Sequence, residues 1–200
     1  KIEAFIKNEN NVINSSELHK YVKNSNKIIK NQYLTFGSES QINFIINKRN
    51  EIKNLKVKSK LNLKEILFNY KSTRLKKIFP NFNNIFKIKN KFFNIDFFKN
   101  EIKIFSKGDY SFKDKYDKFN FEIFKNNNDL IFDTKVEIVN NPIQLDEIDY
   151  KKKKNIFSDV NFSGQLFVNN TIKFDNISFI ENQNSFSISN LYLSNDKKII

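Results

Sequence analysis

Apolar and polar side chains alternate along most of the chain from Gln41 onward, and the alternation is most regular between residues 162 and 194. Within that stretch the apolar positions change parity twice, between Phe174 and Ile177 and again between Ile188 and Leu191. A period of two places every apolar side chain on one side of an extended strand. The pattern therefore predicts long strands with one apolar face, and the parity changes predict irregularities within them.

Short Asn-rich segments separate the predicted strands, and Asn tolerates the positive φ of tight hairpin turns. Five such turns fall at Lys99-Asn100, Asn126-Asn127, Asn140-Asn141, Asn169-Asn170-Thr171 and Asn182-Gln183. Because residues that face each other across an antiparallel hairpin share one face, each turn predicts specific apolar pairs. These pairs are Phe97 with Ile102, Ile95 with Ile104, Ile123 with Leu130, Phe121 with Phe132, Ile138 with Ile143, Val136 with Leu145, Val168 with Ile172, Leu166 with Phe174, Phe179 with Phe186, Ile177 with Ile188, Phe174 with Leu191, and Ile172 with Leu193.

The two parity changes of the last hairpin lie opposite each other in this pairing, near Asn176 and Asn190. A paired bulge or a sharp bend would let both halves of the hairpin keep their apolar residues on the same interior. Gly108 and Gly164 fall on the apolar parity of their strands, where a missing side chain suits a bend or close packing.

The pattern predicts a mainly β protein: a long antiparallel β-meander curved into an open groove or half-pipe, with a short N-terminal helical segment. Residues 1–40 are predicted to be helical or irregular, since Ser15, Ser16 and Glu17 resemble a helix start before a spaced apolar set that includes Tyr21 and Val22. Residues 41–200 are predicted to form the β-sheet domain, interrupted by a short helical or irregular segment at 73–80. We expect this domain to be a piece of a longer β-groove protein.

Composition changes this picture only slightly. The chain has 34 Asn, 33 Lys, 28 Ile and 23 Phe among 200 residues, with a net charge of +13. Such a charge would suit nucleic acid or an anionic surface. However, there are only two Arg, and the lysines recur at every second strand position, as on a solvated face. We therefore predict no nucleic-acid partner. The absence of Cys excludes disulfides and thiolate sites, and no apolar run reaches the length of a membrane helix.

No arrangement of catalytic residues stands out. His19 is the only histidine, it has no cysteine partner, and the three glycines are isolated rather than grouped in a phosphate loop. The cluster of Asp146, Glu147 and Asp149, followed by four lysines, is interpreted as a charged strand end. We predict a protein that is not an enzyme, with no cofactor and no metal.

Three segments carry a resemblance to a known family. They are "LKKIFPNFNNIFKIKNKFFNIDFFKNEIKIFSKGDYSF" (75–112), "DLIFDTKVEIVNNPIQLDEIDYKKKKN" (129–155) and "VNFSGQLFVNNTIKFDNISF" (160–179). In their successive long alternating strands and short polar turns they resemble the AsmA-like family of Gram-negative envelope proteins (the AsmA/TamB/YhdP type). The resemblance covers residues 75–200 and implies a periplasmic protein anchored to the inner membrane by a helix that precedes this chain. It further implies a β-groove that carries phospholipid or other acyl-chain lipid across the envelope.

The predicted lining of this lipid groove is the apolar set of the alternating strands: Ile95, Phe97, Ile102, Ile104, Phe121, Ile123, Leu130, Phe132, Val136, Ile138, Ile143, Leu145, Leu166, Val168, Ile172, Phe174, Ile177, Phe179, Phe186, Ile188, Leu191 and Leu193. Two alternatives stay open. One is a non-enzymatic structural or interaction protein of the envelope whose apolar face forms a dry core. The other is a polyanion-binding module, whose binding would depend steeply on salt.

Overall fold

The computed structural model describes residues 1–20, 29–126 and 128–194. These residues contain twelve strands, one short α-helix and two 3₁₀ turns. The strands are β1 Ile2–Asn14, β2 Tyr33–Ile46, β3 Ile52–Asn69, β4 Ile85–Phe98, β5 Glu101–Ser111, β6 Asp117–Lys125, β7 Asp129–Ile138, β8 Ile143–Leu145, β9 Tyr150–Lys152, β10 Ser158–Phe167, β11 Ile172–Glu181 and β12 Asn184–Leu193. A six-residue helix, α1, spans Thr73–Ile78, and 3₁₀ turns span Ser15–Lys20 and Asp146–Ile148.

Ten strands form one antiparallel sheet in the order β1-β2-β3-β4-β5-β6-β7-β10-β11-β12. Each strand pairs with its neighbours in the chain except where β8 and β9 leave the sheet and pair with each other. The sheet is open, because β1 and β12 are its two ends and do not pair. The predicted mainly β, antiparallel meander is confirmed.

The sheet has an inner face, defined as the face that carries Ile88, Tyr110 and Ile138. The apolar residues that are buried in the described structure all lie toward one end of the strands or in the segments over it. They are Leu34, Ile66, Phe82, Ile88, Tyr110, Phe112, Ile138 and Ile143. We call this the sealed end. The opposite end, which includes Phe97, Ile102, Leu130 and Ile172, is called the open end.

Asparagine supplies most of the backbone geometry that glycine supplies in other sheets. Within the described residues, ten Asn have a positive φ, whereas none of the glycines does. Lys99 and Asn100, with φ of 49° and 67°, form the turn between β4 and β5, as a two-residue turn of the primed type requires. Asn90 (φ 50°) and Asn190 (φ 55°) instead lie inside strands, at irregularities of pairing.

The irregularity at Asn190 is the paired change of face that the sequence predicts. Phe174 pairs with Leu191 and Asn176 with Ser189, so Asp175 and Asn190 are skipped on opposing strands. A second one was not predicted. In the β3–β4 pair, Leu63 pairs with Lys91 and Ile66 with Ile88, so the inner positions change parity on both strands at the level of Asn90.

The N-terminal expectation is wrong for most of the segment, since residues 2–14 form strand β1 and residues 33–46 form β2. Ala4 pairs with Ile42 and Ile2 with Phe44, so the alternation of the sheet extends into the N terminus. The Ser-Ser-Glu signal starts only the 3₁₀ turn, where the Asn14 side chain accepts the amide hydrogen of Ser16. Tyr21, Val22 and Ile28 lie outside the described residues.

Two predicted hairpins are present but shifted by two residues. Ile123 pairs with Phe132 and Lys125 with Leu130, so the predicted pairs Ile123–Leu130 and Phe121–Phe132 are wrong. The loop is longer than predicted because the side-chain Oδ1 of Asn126 accepts the amide hydrogens of Asn128 and Asp129. Asn127 lies outside the described residues. A shift of two keeps every side chain on its predicted face.

The loop after β10 is displaced for a conformational reason. Leu166 pairs with Ile172 and Gly164 with Phe174, so the predicted pairs Val168–Ile172 and Leu166–Phe174 are wrong. The observed loop puts Asn170 at φ 62°, in the left-handed region. The predicted loop would have put β-branched Thr171 at the last loop position, where a left-handed conformation is costly. Val168 consequently lies in the loop.

The predicted hairpin at Asn140-Asn141 does not form, so the pairs Ile138–Ile143 and Val136–Leu145 are wrong. Ile138 pairs instead with Ser158 and Val136 with Val160, on β10. The Asp117 carboxylate accepts the amide hydrogens of Val139 and Asn140, which turns the chain away from β7. Pro142 also lacks the amide hydrogen that a ladder there would use.

Candidate functional site

The inner face of the sheet is the candidate site, because most of its side chains are apolar. All of the predicted lining residues except Ile143, Leu145 and Val168 lie on this face. Most are half-buried. Phe186 and Ile188, near the sheet edge, are exposed, as is Val168 in its loop.

At the sealed end, α1 and the segment after it cover the inner face. Phe82 and Phe112 are buried and lie edge to face, with ring centroids 5.4 Å apart, and Phe79 packs on Phe112 at 4.7 Å. The Ser72 hydroxyl caps α1 by accepting the amide hydrogen of Leu75. This aromatic cluster is the only extended core in the described part of the chain.

Two apolar cavities adjoin the aromatic cluster. One, of about 420 Å³, lies against Phe68, Leu75 and Ile88. The other, of about 320 Å³, is lined by residues of β4, β5, β6, β7 and β10, among them Phe86 and Phe162. Since one cavity draws its lining from five consecutive strands of the sheet, the inner face is concave there. The covering segments therefore close one end of a groove.

Polar contacts hold the β8–β9 hairpin in the same place. The buried Lys152 ammonium donates to the carbonyl oxygens of Val139 and Asn141, at 3.3 and 3.1 Å. The Tyr150 hydroxyl donates to the Glu181 carboxylate, and burial together with this contact raises the pKa of Tyr150. The lysine run was interpreted as a solvated, charged strand end. Lys152 is an exception to that interpretation, because it secures the hairpin over the sheet.

At the open end no segment of the described chain covers the inner face. Phe132 lies at its centre, with ring centroids 6.2 Å from Phe162 and 5.7 Å from Phe174. Gly164 pairs with Phe132, and a Cβ at this position would lie 3.0 Å from the Phe132 ring. The predicted need for close packing at Gly164 is thus confirmed, since only glycine leaves room for these rings.

Among the polar residues of the inner face, Lys91 and Ser106 were not singled out from the sequence. Lys91 pairs with Leu63 and its Nζ lies 4.6 Å from the Phe93 ring centroid. Ser106 is fully buried beside Phe93, and its Oγ has no hydrogen-bond partner within the described structure. Lys91 could have been found from its parity, since it begins the inner series that continues through Phe93.

The outer face is polar and carries the charge of the sheet. Exposed or half-exposed ion pairs lie there, such as Lys135 with Asp159 (3.0 Å) and Lys173 with Asp175 (2.7 Å). A third cavity, of about 610 Å³, opens mainly between outer-face side chains such as Lys58. The described residues contain no group of three or more His, Asp or Glu side chains placed to hold a metal ion.

Across residues 1–20, 29–126 and 128–194, none of the helices has the length and apolar character that crossing a membrane requires.

Comparisons with protein-family models, with curated proteins and with solved structures found no match to this chain.

Proposed function

We propose that this protein is a β-groove protein that binds lipid acyl chains along the inner face of its sheet and carries them across the bacterial envelope without catalysing a reaction. One observation carries the proposal: large apolar side chains cover the inner face at the open end, and no described segment lies over them. An exposed apolar surface of this extent favours a bound apolar partner in water.

The dimensions of the open end suit an acyl chain. From Lys91 to Phe97 the strand rises about 20 Å, at roughly 3.3 Å per residue. The hydrocarbon core of a bilayer is about 30 Å across and holds two chains end to end, so one chain needs about 15 Å. The open end therefore offers enough length for one chain along a strand, with Phe132 and Phe174 on its path.

The charge of the chain supports the same proposal. The chain has a net charge of +13, and the many lysines on the outer face of the sheet favour approach to anionic lipid surfaces. The proposed place of action is the periplasm, with attachment to the inner membrane through a segment outside this chain, as the AsmA-like resemblance implies. Phospholipid is the proposed cargo.

Photo-crosslinking with benzoylphenylalanine tests the proposal in cells. The amino acid is placed at Phe132 or Phe174 on the inner face, and at Phe98 on the outer face as the matched control. After irradiation, mass spectrometry of the purified protein should detect lipid adducts at the two inner positions and none at Phe98. Equal labelling at all three positions, or labelling at none, would contradict acyl-chain binding and favour a structural protein with a dry core.

A charge in the groove provides a second test. Phe132→Asp should abolish lipid binding and leave a circular dichroism spectrum that is mostly strand-like. Phe98→Asp is its control, because Phe98 lies on the outer face between Lys56 and Lys99. Lipid extracted from each purified variant is quantified by mass spectrometry. Retention of lipid by Phe132→Asp would place the cargo elsewhere.

A further inference from the structure

Lys91 places a cation on the inner face, where acyl-chain binding requires no charge. It lies half-buried on the inner face, and desolvation lowers its pKa to about 8. No carboxylate among the described residues forms an ion pair or hydrogen bond with it. A buried ammonium without a counter-ion costs free energy, so a ligand that supplies one gains affinity.

The neighbours of Lys91 hold its ammonium over an aromatic floor. Nζ lies 4.6, 5.2 and 5.0 Å from the ring centroids of Phe93, Phe119 and Phe121. The side chain reaches the Phe119 and Phe121 rings across β5 at the level of Gly108, which has no side chain. A Cβ on Gly108 would lie 3.3 Å from the Phe119 ring and 3.4 Å from the Lys91 Cα. The rings fix the position of the charge without neutralising it.

Ser106 is a second, independent observation at the same level. It pairs with Phe93 on one side and with Phe121 on the other, which are two of the three rings under the ammonium. Its hydroxyl is fully buried and makes no hydrogen bond within the described structure. Buried hydroxyl groups in proteins are normally satisfied, and an orphan one requires an explanation such as an absent ligand.

We propose that Lys91 and Ser106 form an anion-binding site in the floor of the groove, which holds the carboxylate or phosphate of an amphiphile whose acyl chain runs toward the open end. This inference rests on the proposed function and defines its cargo as anionic. Lys91 supplies the charge, and the Ser106 hydroxyl donates a hydrogen bond to an anion oxygen. The same head group would satisfy both unpartnered polar groups at once.

Ligands with one chain and different head groups test the site. Dodecyl phosphate, dodecanoate and dodecanol are compared at neutral pH, by displacement of the neutral fluorophore N-phenyl-1-naphthylamine from the whole chain. The two anions should bind at least about ten-fold more tightly than dodecanol, because a hydrogen bond to a charged group contributes about 1.5–3 kcal/mol. Equal affinity of all three would overturn the anion site and leave the groove itself standing. If neither dodecanol nor either anion binds, both the anion site and the proposed acyl-chain groove are contradicted.

Variants separate the two side chains. Lys91→Met should reduce the preference for anions over dodecanol to near parity, because it removes the charge. Ser106→Ala should reduce the preference by a smaller factor, because it removes one hydrogen bond and leaves the charge of Lys91 in place. Lys103→Met is the matched control, because Lys103 also lies over a ring, that of Phe124, but is exposed on the outer face. A Lys91→Met protein that retains the preference would overturn the proposal.

Two further arms remove the remaining ambiguities. Should Lys91→Met fail to fold, Lys91→Arg keeps the charge and should keep the preference, whereas an Arg variant without it would contradict the site. Inorganic phosphate and acetate are added as competitors to separate a head group from a free anion. If inorganic phosphate competes at the same concentrations as dodecyl phosphate, the site binds free anions, and the proposal that it holds the head group of an amphiphile is overturned.

Discussion

The sealed and open ends of this sheet have similar inner faces and different surroundings. At the sealed end, Ile138 is 2% exposed, because α1, the segment after it and the β8–β9 hairpin lie over the sheet. At the open end, Phe132 is half-buried, although it is as apolar and lies on the same strand, β7. The two positions are six residues apart, so burial here is decided by the covering segments and not by the strand itself.

This difference teaches how stability and binding can be divided along one groove. The sealed end has the aromatic cluster and the polar contacts of Asp117 and Lys152, which satisfy buried groups and fix the ends of the strands. The open end has neither, and its apolar side chains remain available to a ligand. Stability should therefore depend mainly on the sealed end, and binding mainly on the open end.

The largest expected effect comes from placing a carboxylate at each end of β7. Ile138→Asp should lower the free energy of unfolding by about 4 kcal/mol or more, since it buries an unpaired charge. Phe132→Asp should lower it by only about 1–2 kcal/mol, since its carboxylate can reach water. Urea denaturation of both variants measures the difference. Equal losses would mean that the two ends are covered alike, and the comparison would fail.

Sequence patterns predicted much of this arrangement for identifiable reasons. The hairpins at Asn100 and Asn182 were predicted in correct register, because their flanking apolar residues and their two-residue turns specify the same pairing. The bend at Asn190 was predicted because both strands change parity there. Local alternation and turn chemistry are properties of the sequence near each element, and these predictions depend on little else.

What the sequence did not predict depends on contacts between distant residues. At the sealed end, the Asp117 carboxylate accepts the amide hydrogen of Asn140, 23 residues away, and the Lys152 ammonium donates to the carbonyl oxygen of Val139. No local sequence pattern predicts either contact. The N-terminal strand was missed because a helix-start signal in the Ser15 region outweighed a weak alternation. Of the candidate site, the apolar face follows from parity, whereas Lys91 and Ser106 stand out only when burial and partners are known.

A glycine substitution tests whether close packing shapes the open end. Gly164→Ala should lower the free energy of unfolding by about 2–3 kcal/mol, because the added methyl group would overlap the carbonyl oxygen of Lys173 and touch the Phe132 ring. Gly37→Ala is the control, since a Cβ there meets only the carbonyl oxygen of Asn8 at 3.6 Å and should change stability by less than about 1 kcal/mol. Thermal or urea denaturation of the pair decides, and a harmless Gly164→Ala would mean that the strands are not tightly packed there.

The pH dependence of stability reports the charge inside the groove. Desolvation lowers the pKa of Lys91 from 10.5 to about 8, so between these values the unfolded chain binds a proton that the folded chain does not. Stability should therefore rise with pH across that window, by at most about 1.4 kcal/mol per pH unit. Below pH 8 the folded protein carries the full cost of the buried charge.

Urea denaturation between pH 7 and pH 9.5 measures this slope in the parent and in Lys91→Met. Burial raises the pKa of Tyr110 on the same face, so stability falls where the tyrosine of the unfolded chain ionises, near pH 10, and the upper limit stays below that pH. Desolvation also lowers the pKa of Lys152, and the difference between the two proteins removes its contribution. If the free energy of unfolding depends on pH with the same slope in the parent and in Lys91→Met, Lys91 is solvated in the folded protein. The uncovered part of the inner face would then include Lys91.

The smallest expected effects belong to the outer face of the sheet. Lys103→Gln, Lys135→Gln and Lys173→Gln should each change the free energy of unfolding by no more than about 0.5 kcal/mol, since exposed lysines and surface ion pairs contribute little. Lys135→Gln tests this limit most strictly, because the partner of Lys135, Asp159, is largely buried, with 16% of its side chain exposed. The ion pair with Asp159 raises the pKa of Lys135, so its loss should be greatest at low salt. Urea denaturation at low and high salt measures all three, and a loss above 1 kcal/mol at any one would show that the outer face has a structural or binding role that its solvated pattern does not predict.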